Sequence, residues 1–322
     1  MIEVVIPAFN GGRFLRETLQ SVASQTVPPA RVTIVDDRST DDTVAVAEAC
    51  GRELAGRLDI RLIANTGPQG PSAARNTAIK QSDAVWIALL DADDLLTPIH
   101  HERLLQAAQA LPGAVLSFGD STVFRDDPDG TRHVTVAHYL AVSGVSALPA
   151  TELPGGSLTL GEAMFGAMLR SGVFGTSACL IRRDAAISAG LFDESMMHSE
   201  DTDLFLRLAL AGGFAFTRDV VANKRVHGDN LSHERHKFAF CRGTARSLTK
   251  LAGEARNLTP KQGQTLDGAL NKAIDNYLYH ASLAGMSAYK AAAALSRRSG
   301  RGSLAAKPKH LLRLAMRRWI NV

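Results

Sequence analysis

Asp91, Asp93 and Asp94 follow directly on an apolar run in the stretch VWIALLDADDLL, Val85 to Leu96. Carboxylates fixed at the end of a buried strand offer hard oxygen ligands, which select magnesium or manganese. The alternating spacing predicts Asp91 and Asp93 on one side of an extended segment. Other polar groups close the neighbouring apolar runs. The first ends in PAFN, the second in Asp36 and Asp37, and the third in Asn65 before a Gly-rich turn and Arg75. Carboxylates and an arginine gathered in this way suit a metal-bound phosphate ligand. Taken singly, each has a plainer reading: Asp36-Asp37 as a helix cap or turn, Arg75 as a surface charge, and Gly67 with Gly70 as a turn. Asp94 stays open between a contact behind the ligands and a cap for the next helix.

What must position these groups is a set of alternating elements. IEVVIP, RVTIVDD, DIRLIAN, AVWIALLD and AVLSFGD read as strands, the last covering residues 114–120. Between them lie helical stretches. GRFLRETLQSVASQ carries Phe14, Leu15, Leu19 and Val22 on one face. TDDTVAVAEACGREL has Ser39 or Thr40 as its expected cap, and Pro98 opens PIHHERLLQAAQAL. Near-continuous apolar strands alternating with helices predict a parallel sheet covered on both faces. Ligands then bind beyond the carboxyl ends of the strands, where the polar groups above converge. Past Val123 the alternation fails. Residues 124–157 read as loop with short strands, LGEAMFGAMLRSG as a helix, GTSACLIRR as a strand, and SEDTDLFLRLALAGG as an amphipathic helix. FAFTRDVVANKRVH reads as two short strands, and nearly everything beyond Ser232 as helix.

The 322 residues are 45% apolar, enough for one large domain with a real core, or for one domain plus an appendage. No apolar run reaches the length of a membrane span, and the chain opens on a strand pattern rather than a signal peptide. A cytoplasmic protein is expected, with a peripheral place on the inner face of the cell membrane left open. Cys50, Cys179 and Cys241 are too scattered for a zinc knuckle or a disulfide framework and are expected as buried thiols. Charge is unevenly placed. Nine basic residues and no acidic one follow Asp275; with a net charge of +4, the residues up to Asp275 carry −5. In KPKHLLRLAMRRWINV, Leu311, Leu312, Ala315, Met316, Trp319 and Ile320 form one helical stripe, with Lys309, Arg313, Arg317 and Arg318 largely off it. Such a segment fits an anionic membrane surface, with Trp319 as interfacial anchor. Packing of the stripe on the body or on a second copy of the chain is the equal alternative. Nucleic acid is not expected as a partner.

The stretches VVIPAFNGGRFLRETLQSVASQT, IVDDRSTDDT, GPSAARNTAI, LLDADDLL and SEDTDLFLRL resemble, in order and spacing, the motifs of glycosyltransferase family 2. The resemblance covers residues 1 to about 232. It implies an α/β fold of the GT-A type, with a Rossmann-like, mostly parallel sheet, helices on both faces and a helical C-terminal extension. Residues 1–120 would bind a nucleotide sugar, 121–232 the acceptor, and 233–322 would form a helical region with the basic tail. Pro7, Ala8 and Asn10 would line the nucleoside pocket. Asp37 would accept the imide N–H of the base, which favours uracil, although thymine offers the same group and guanine a comparable one. Arg38 stands where the family usually has glycine. Arg75 would contact the diphosphate. Asp91 and Ala92 would lie at the donor, with Asp91 on the ribose or a metal-bound water. Asp93 would hold Mn2+ or Mg2+, joined by His227. Asp201 would be the base of an inverting transfer, with Glu200 its hydrogen-bonded neighbour and Asp203 facing another way. Asp201 also fits a plain acidic first helical turn. The implied activity is transfer from a UDP-sugar to a hydroxyl of a glycan or lipid-linked acceptor in bacterial cell-surface polysaccharide synthesis.

His198 and His233 are expected as surface residues. A dinucleotide-binding oxidoreductase is disfavoured, because PAFNGGRF stands where a pyrophosphate needs G-x-G-x-x-G. A catalytically silent relative that binds glycans is disfavoured by the presence of Arg75, Asp93 and Asp201.

Overall fold

The computed structural model describes residues 1–170, 172–231 and 233–320, of which 317–320 are described by backbone alone. The chain forms two compact units. The first comprises Met1–Met197 and Leu204–His227; the second comprises His198–Asp203 and the described residues from Gly228 onward.

In the first unit β1 (Ile2–Ala8), α1 (Gly12–Ala23), β2 (Arg31–Asp36), α2 (Thr43–Glu53), β3 (Ile60–Ala64), α3 (Pro71–Gln81) and β4 (Trp86–Leu89) alternate as the hydrophobic periods predict. There follow β5 (Leu95–Leu96), α4 (His100–Ala110), β6 (Ala114–Asp126), β7 (Arg132–Val136), α5 (Tyr139–Val142), β8 (Thr151–Glu152), β9 (Leu158–Thr159) and α6 (Ala163–Arg170). The last elements are β10 (Cys179–Arg182), α7 (Arg183–Ser188), α8 (Glu200–Ala211), which belongs to this unit from Leu204 on, and β11 (Gly213–Arg225). The strands run in the order β3-β2-β1-β4-β10-β6-β11-β9-β8. Neighbours are parallel among β3, β2, β1 and β4, and again between β6 and β11. Ile2, Val4, Ile6 and Ala8 point from one face of β1 into an apolar cluster with Leu15, Leu19 and Val22 of α1 and Ala47 and Cys50 of α2. The opposite face is covered by α3, as the alternation of side chains along a strand requires.

Three local expectations are corrected. FAFTRDVVANKRVH contributes to one strand, β11, which bends at two register shifts between Phe216 and Ala222 instead of breaking. The fifth strand runs on to Asp126, because β7 pairs with its far half. Neither Ser39 nor Thr40 caps α2: the Ser39 hydroxyl accepts the Asn10 N–H, Thr40 donates its N–H to the Asn10 side chain, and the helix begins at Thr43 after Asp42.

β10 lies antiparallel between β4 and β6, and this shapes the site. Parallel strands bring their carboxyl ends to the binding edge. An antiparallel strand brings its beginning, so Ser177, just ahead of β10, arrives beside the residues that follow β4. β5 pairs with the far end of β11 (Ala222 with Leu96, Asn223 with Leu95) and fixes the residues between β4 and β5 against that strand.

The second unit is helical: α9 (Lys237–Glu254), α10 (Pro260–Ala284), α11 (Met286–Arg298), α12 (Gly302–Ala305) and α13 (Pro308–Ile320). α10 opens on a capping box formed by Thr259 and Gln262. Gly243 on α9 passes so close to His198 that a Cβ there would stand 2.3 Å from the His198 carbonyl oxygen. α13 is tied to α10 through Asp275, which takes Lys307, Lys309 and His310. Burial opposes the Asp275 charge, but these three partners overcome it and hold the carboxyl well below its usual range. The stripe on α13 remains uncovered as far as it is described: Leu311, Leu312, Ala315 and Met316 are exposed. The side chains of Arg317, Arg318, Trp319 and Ile320, which complete the expected pattern, lie outside the described residues. No helix among the described residues is long and apolar enough to cross a membrane. All three cysteines are buried free thiols.

Candidate active site

Asp91 to Asp94 form a turn rather than the extended segment expected, closed by the Asp94 N–H donating to the Asp91 carbonyl at 3.2 Å. The turn gathers three carboxylates. One oxygen from each of Asp91, Asp93 and Asp94 lies within 4.8 Å of the others. The reason is the short link between β4 and β5, which has to reverse at once. Asp94 is buried and is no helix cap: Ser177 donates to one of its oxygens at 2.7 Å, and the Arg225 backbone N–H donates to the other at 2.8 Å. Burial pushes its carboxyl up to about 8, and the charges of Asp93 and Asp91 push the same way. A divalent cation relieves such crowding.

Two predicted partners reach this turn. His227, two residues past the end of β11, brings its Nε2 to 2.8 Å from Asp93 Oδ2, with its ring against Phe14. Arg75 on α3 is buried, lies over the Phe192 ring and donates to Asp91 Oδ1 at 2.7 Å. Among the described residues the Asp91, Asp93 and Asp94 group is the one set of three or more such ligands found close enough to hold a metal. Oxygen donors with an imidazole alongside fit Mn2+ or Mg2+ in type.

At the β1 and β2 ends the other expected residues are also close together. Pro7 is half-buried and Ala8 buried, and the Ala8 carbonyl accepts the Asp37 N–H. Asn10 is exposed at a φ of 52° and joins the two loops through Ser39 and Thr40. Asp36 serves its own turn, accepting the Arg38 and Ser39 N–H groups. Asp37 is buried; its oxygens accept from Asn65 Nδ2 and, at 2.7 Å, from the Gly70 N–H. Arg38 has a φ of 68°, the left-handed region that glycine enters without cost. Its guanidinium reaches Asp37 Oδ1 at 3.4 Å and the Gly67 carbonyl at 2.7 Å, so it closes the Gly-rich turn over Asp37. Ala92 touches the first loop: a Cβ on Gly11 would stand 3.2 Å from the Ala92 Cβ.

Asp201 and Glu200 open α8 and fall in the second unit. Asp201 accepts the N–H of Thr202 at 2.6 Å, and Glu200 is buried. Asp203 is buried, with Lys250 Nζ 3.9 Å away. His198 is half-buried with its ring 5.4 Å from that of His236, against the surface position expected, whereas His233 is exposed as expected and accepts the Arg235 N–H.

Sequence reading missed Arg225, Ser177, Thr18 and Glu17. Arg225 stands in FAFTRDVVANKRVH, two residues before His227; an arginine closing an apolar strand is its available signal. Ser177 and Thr18 carried none, because they act by donating to the turn (Thr18 Oγ1 to the Ala92 and Asp94 carbonyls at 2.9 Å).

The family described as glycosyl transferase family 2 matches residues 3–152. The chain is 25% identical to chondroitin synthase of Escherichia coli over 232 residues, 72% of this chain and 30% of that protein. Against the poly(ribitol-phosphate) beta-N-acetylglucosaminyltransferase TarS of Staphylococcus aureus it is 35% identical over 107 residues, 33% of this chain and 18% of that one. The chain thus spans less than a third of the length of these relatives. Among solved structures, S. aureus TarS 1-349 in complex with UDP-GlcNAc superposes over 99% of this chain and 91% of its own, with a TM-score of 0.56 at 14% identity. The mannosyltransferase PcManGT from Pyrobaculum calidifontis, in complex with GDP-Man and Mn2+, covers all of this chain and 88% of its own, with a TM-score of 0.59 at 18% identity. Residues 3–152 are accordingly a glycosyl transferase family 2 domain, carried on a fold of the GT-A type.

Proposed function

We propose that this chain transfers a sugar, with inversion, from a UDP-sugar to a hydroxyl of a glycan or lipid-linked acceptor, in bacterial cell-surface polysaccharide synthesis. The observation that carries this reading is the turn after β4, where three carboxylates, His227 and the buried Arg75 meet. The family match, and relatives named as a chondroitin synthase and a poly(ribitol-phosphate) beta-N-acetylglucosaminyltransferase, support it.

Asp93 and His227 would hold Mn2+ or Mg2+, as the PcManGT complex with Mn2+ encourages. Bound there, the ion would neutralise the charge building on the departing diphosphate. Arg75, already oriented by Asp91, would contact the diphosphate. Asp37 takes Asn65 and Arg38 on Oδ1 and Gly70 on Oδ2, and a carboxylate has about four acceptor positions, so one on Oδ2 would remain for an imide N–H of uracil. Pro7, Ala8 and Asn10 would wall the nucleoside, and Ala92 would keep the turn narrow beside the first loop. Asp201 would take the acceptor hydroxyl's proton while that oxygen forms the new bond to the anomeric carbon and the bond to the diphosphate breaks. Glu200 would orient it. Residues 1–120 would bind the donor and 121–232 the acceptor.

Residues 233–322 would bring the enzyme to the membrane. The exposed Leu311, Leu312, Ala315 and Met316 of α13 and the run of nine basic residues without an acidic one favour an anionic lipid surface, where a lipid-linked acceptor would also be met. The reading is tested by calorimetry of UDP with and without manganese, followed by a panel of nucleotide sugars assayed for hydrolysis and transfer. Manganese-dependent UDP binding and turnover of a UDP-sugar are expected. Binding of UDP that ignores manganese would overturn the metal assignment.

A further inference from the structure

We infer that Arg225 is a positioning residue for the Asp91–Asp94 turn, fixing the Asp93 carboxylate and His227 together. The inference deepens the proposed function and rests on it.

Arg225 closes β11, and its side chain is 3% exposed. Its backbone N–H donates to Asp94 Oδ1 at 2.8 Å, and its Nε donates to the Asp93 carbonyl at 2.9 Å. The two remaining arms reach outward, to Glu17 on α1 and to Asp126 at the end of β6. The guanidinium lies between two rings, 4.9 Å from the Phe14 centroid and 4.7 Å from that of Phe124. Arg132 on β7 pairs with the same two acids, Glu17 at 2.9 Å and Asp126 at 2.8 Å. Two cations and two anions thus form a closed and neutral group. Burial opposes the Glu17 charge, yet Arg132 and Arg225 overcome it and hold its pKa below the usual value.

Every carbonyl of the turn from Ala92 to Asp94 is held from outside. Thr18, next to Glu17 on α1, shares its one hydroxyl proton between the Ala92 and Asp94 carbonyls, and Arg225 takes Asp93. Only a planar donor with arms in three directions can hold the Asp93 carbonyl and both acids at once, which a lysine ammonium on its flexible stem cannot do. Arg225 also sits two residues before His227, so the support that fixes Asp93 fixes its imidazole partner. Residues behind metal ligands of this kind set the ligands' orientation and are worth about 10- to 100-fold in metal affinity.

The test uses the full chain and two readouts. Mn2+ binding is followed by the paramagnetic resonance of the free ion, without nucleotide, and amide exchange of residues 92–95 is measured in metal-free protein. Arg225→Lys is expected to weaken Mn2+ binding by about 10- to 100-fold. It should speed exchange in the turn while leaving exchange in α3 as in the parent. A variant that melts lower but binds Mn2+ and protects its turn amides like the parent would reduce Arg225 to a fold brace and overturn the inference. Should Arg225→Lys not fold, Glu17→Gln and Asp126→Asn each unhook one arm, and both should weaken Mn2+ binding and loosen the turn; unchanged values in both would overturn it. Failure of the parent to bind Mn2+ would sink the proposed function itself, a result separable from failure of the variant. In that event the exchange data alone decide whether Arg225 holds the turn, and parent-like turn exchange in Arg225→Lys would overturn the inference.

Discussion

Asp93→Asn should make the metal-free protein more stable while it destroys metal-dependent donor binding. The carboxylates of Asp91, Asp93 and Asp94 each place an oxygen within 4.8 Å of the others. At that separation and an effective dielectric of about 20, repulsion between two ionised groups is about 3.5 kcal/mol. The Asp93 and Asp91 side chains are 23% and 37% exposed, so screening leaves roughly half of that. The substitution also turns the charged contact with His227 into a neutral one, a loss of about 0.5–1 kcal/mol for a partly exposed pair; an amide oxygen can still accept from the imidazole. The net gain is about 1 kcal/mol, or roughly 2–4 °C in melting temperature for a unit of this size. The melt is run in EDTA, and UDP is titrated by calorimetry with and without manganese. Loss of a ligand should cost at least the upper end of the outer-support range, about 100-fold in Mn2+-dependent UDP affinity. A variant that binds UDP in manganese like the parent refutes Asp93 as a ligand. One that melts lower than the parent in EDTA refutes the account of like charges held together for function rather than stability.

Asp201→Asn keeps size but takes no proton; turnover should fall at least about 100-fold with donor affinity nearly unchanged, and a near-normal rate would move the base to Glu200 or Asp203. The product of an α-linked donor should be the β-anomer by NMR, and retained configuration would exclude a single displacement. Full-length protein should sediment with anionic liposomes at low salt and less so at high salt. Deleting residues 307–322 should reduce this without loss of soluble-donor hydrolysis; if it splits an oligomer or makes the body insoluble instead, the stripe is a protein interface. Burial lowers the pKa of His101 to about 4 and that of His100 well below its usual value. The unfolded chain then binds protons first as pH falls below about 6.5, so stability present at pH 7 should be lost between about pH 6.5 and 4. His101 alone accounts for about 3 kcal/mol of this. Urea unfolding at several pH values checks it, and a flat profile would refute the burial argument.

Much of the first unit was legible because its signals are local. The strands and helices up to Leu89 follow from hydrophobic period, and the binding edge follows from what ends each parallel strand. What was not legible depends on partners far along the chain. Ser177 reaches Asp91 and Asp94 only because β10 inserts antiparallel, and nothing in GTSACLIRR announces that direction. Arg225 looked like one more basic residue because its two acids, Glu17 and Asp126, stand 208 and 99 positions before it. The cap expected at Ser39 or Thr40 failed for a related reason: both are engaged by Asn10 on another loop, a tertiary contact that local cap preference cannot anticipate.

The departure at Arg38 shows how the two kinds of information combine. At that position a glycine costs no steric strain, and an arginine at a φ of 68° does. The strain is tolerable because the side chain is occupied: it donates to the Gly67 carbonyl and lies at 3.4 Å from Asp37. Glycine would leave the Gly-rich turn free to move over Asp37, whereas arginine ties the turn down and adds a cation beside the carboxylate proposed to read the base. A guanidinium there holds the Asp37 carboxylate in place as an acceptor, the role an imide N–H would require. Arg38 therefore occupies a backbone conformation that glycine enters without cost and adds a hold on the wall of the proposed pocket, which the sequence could flag as unusual but could not orient.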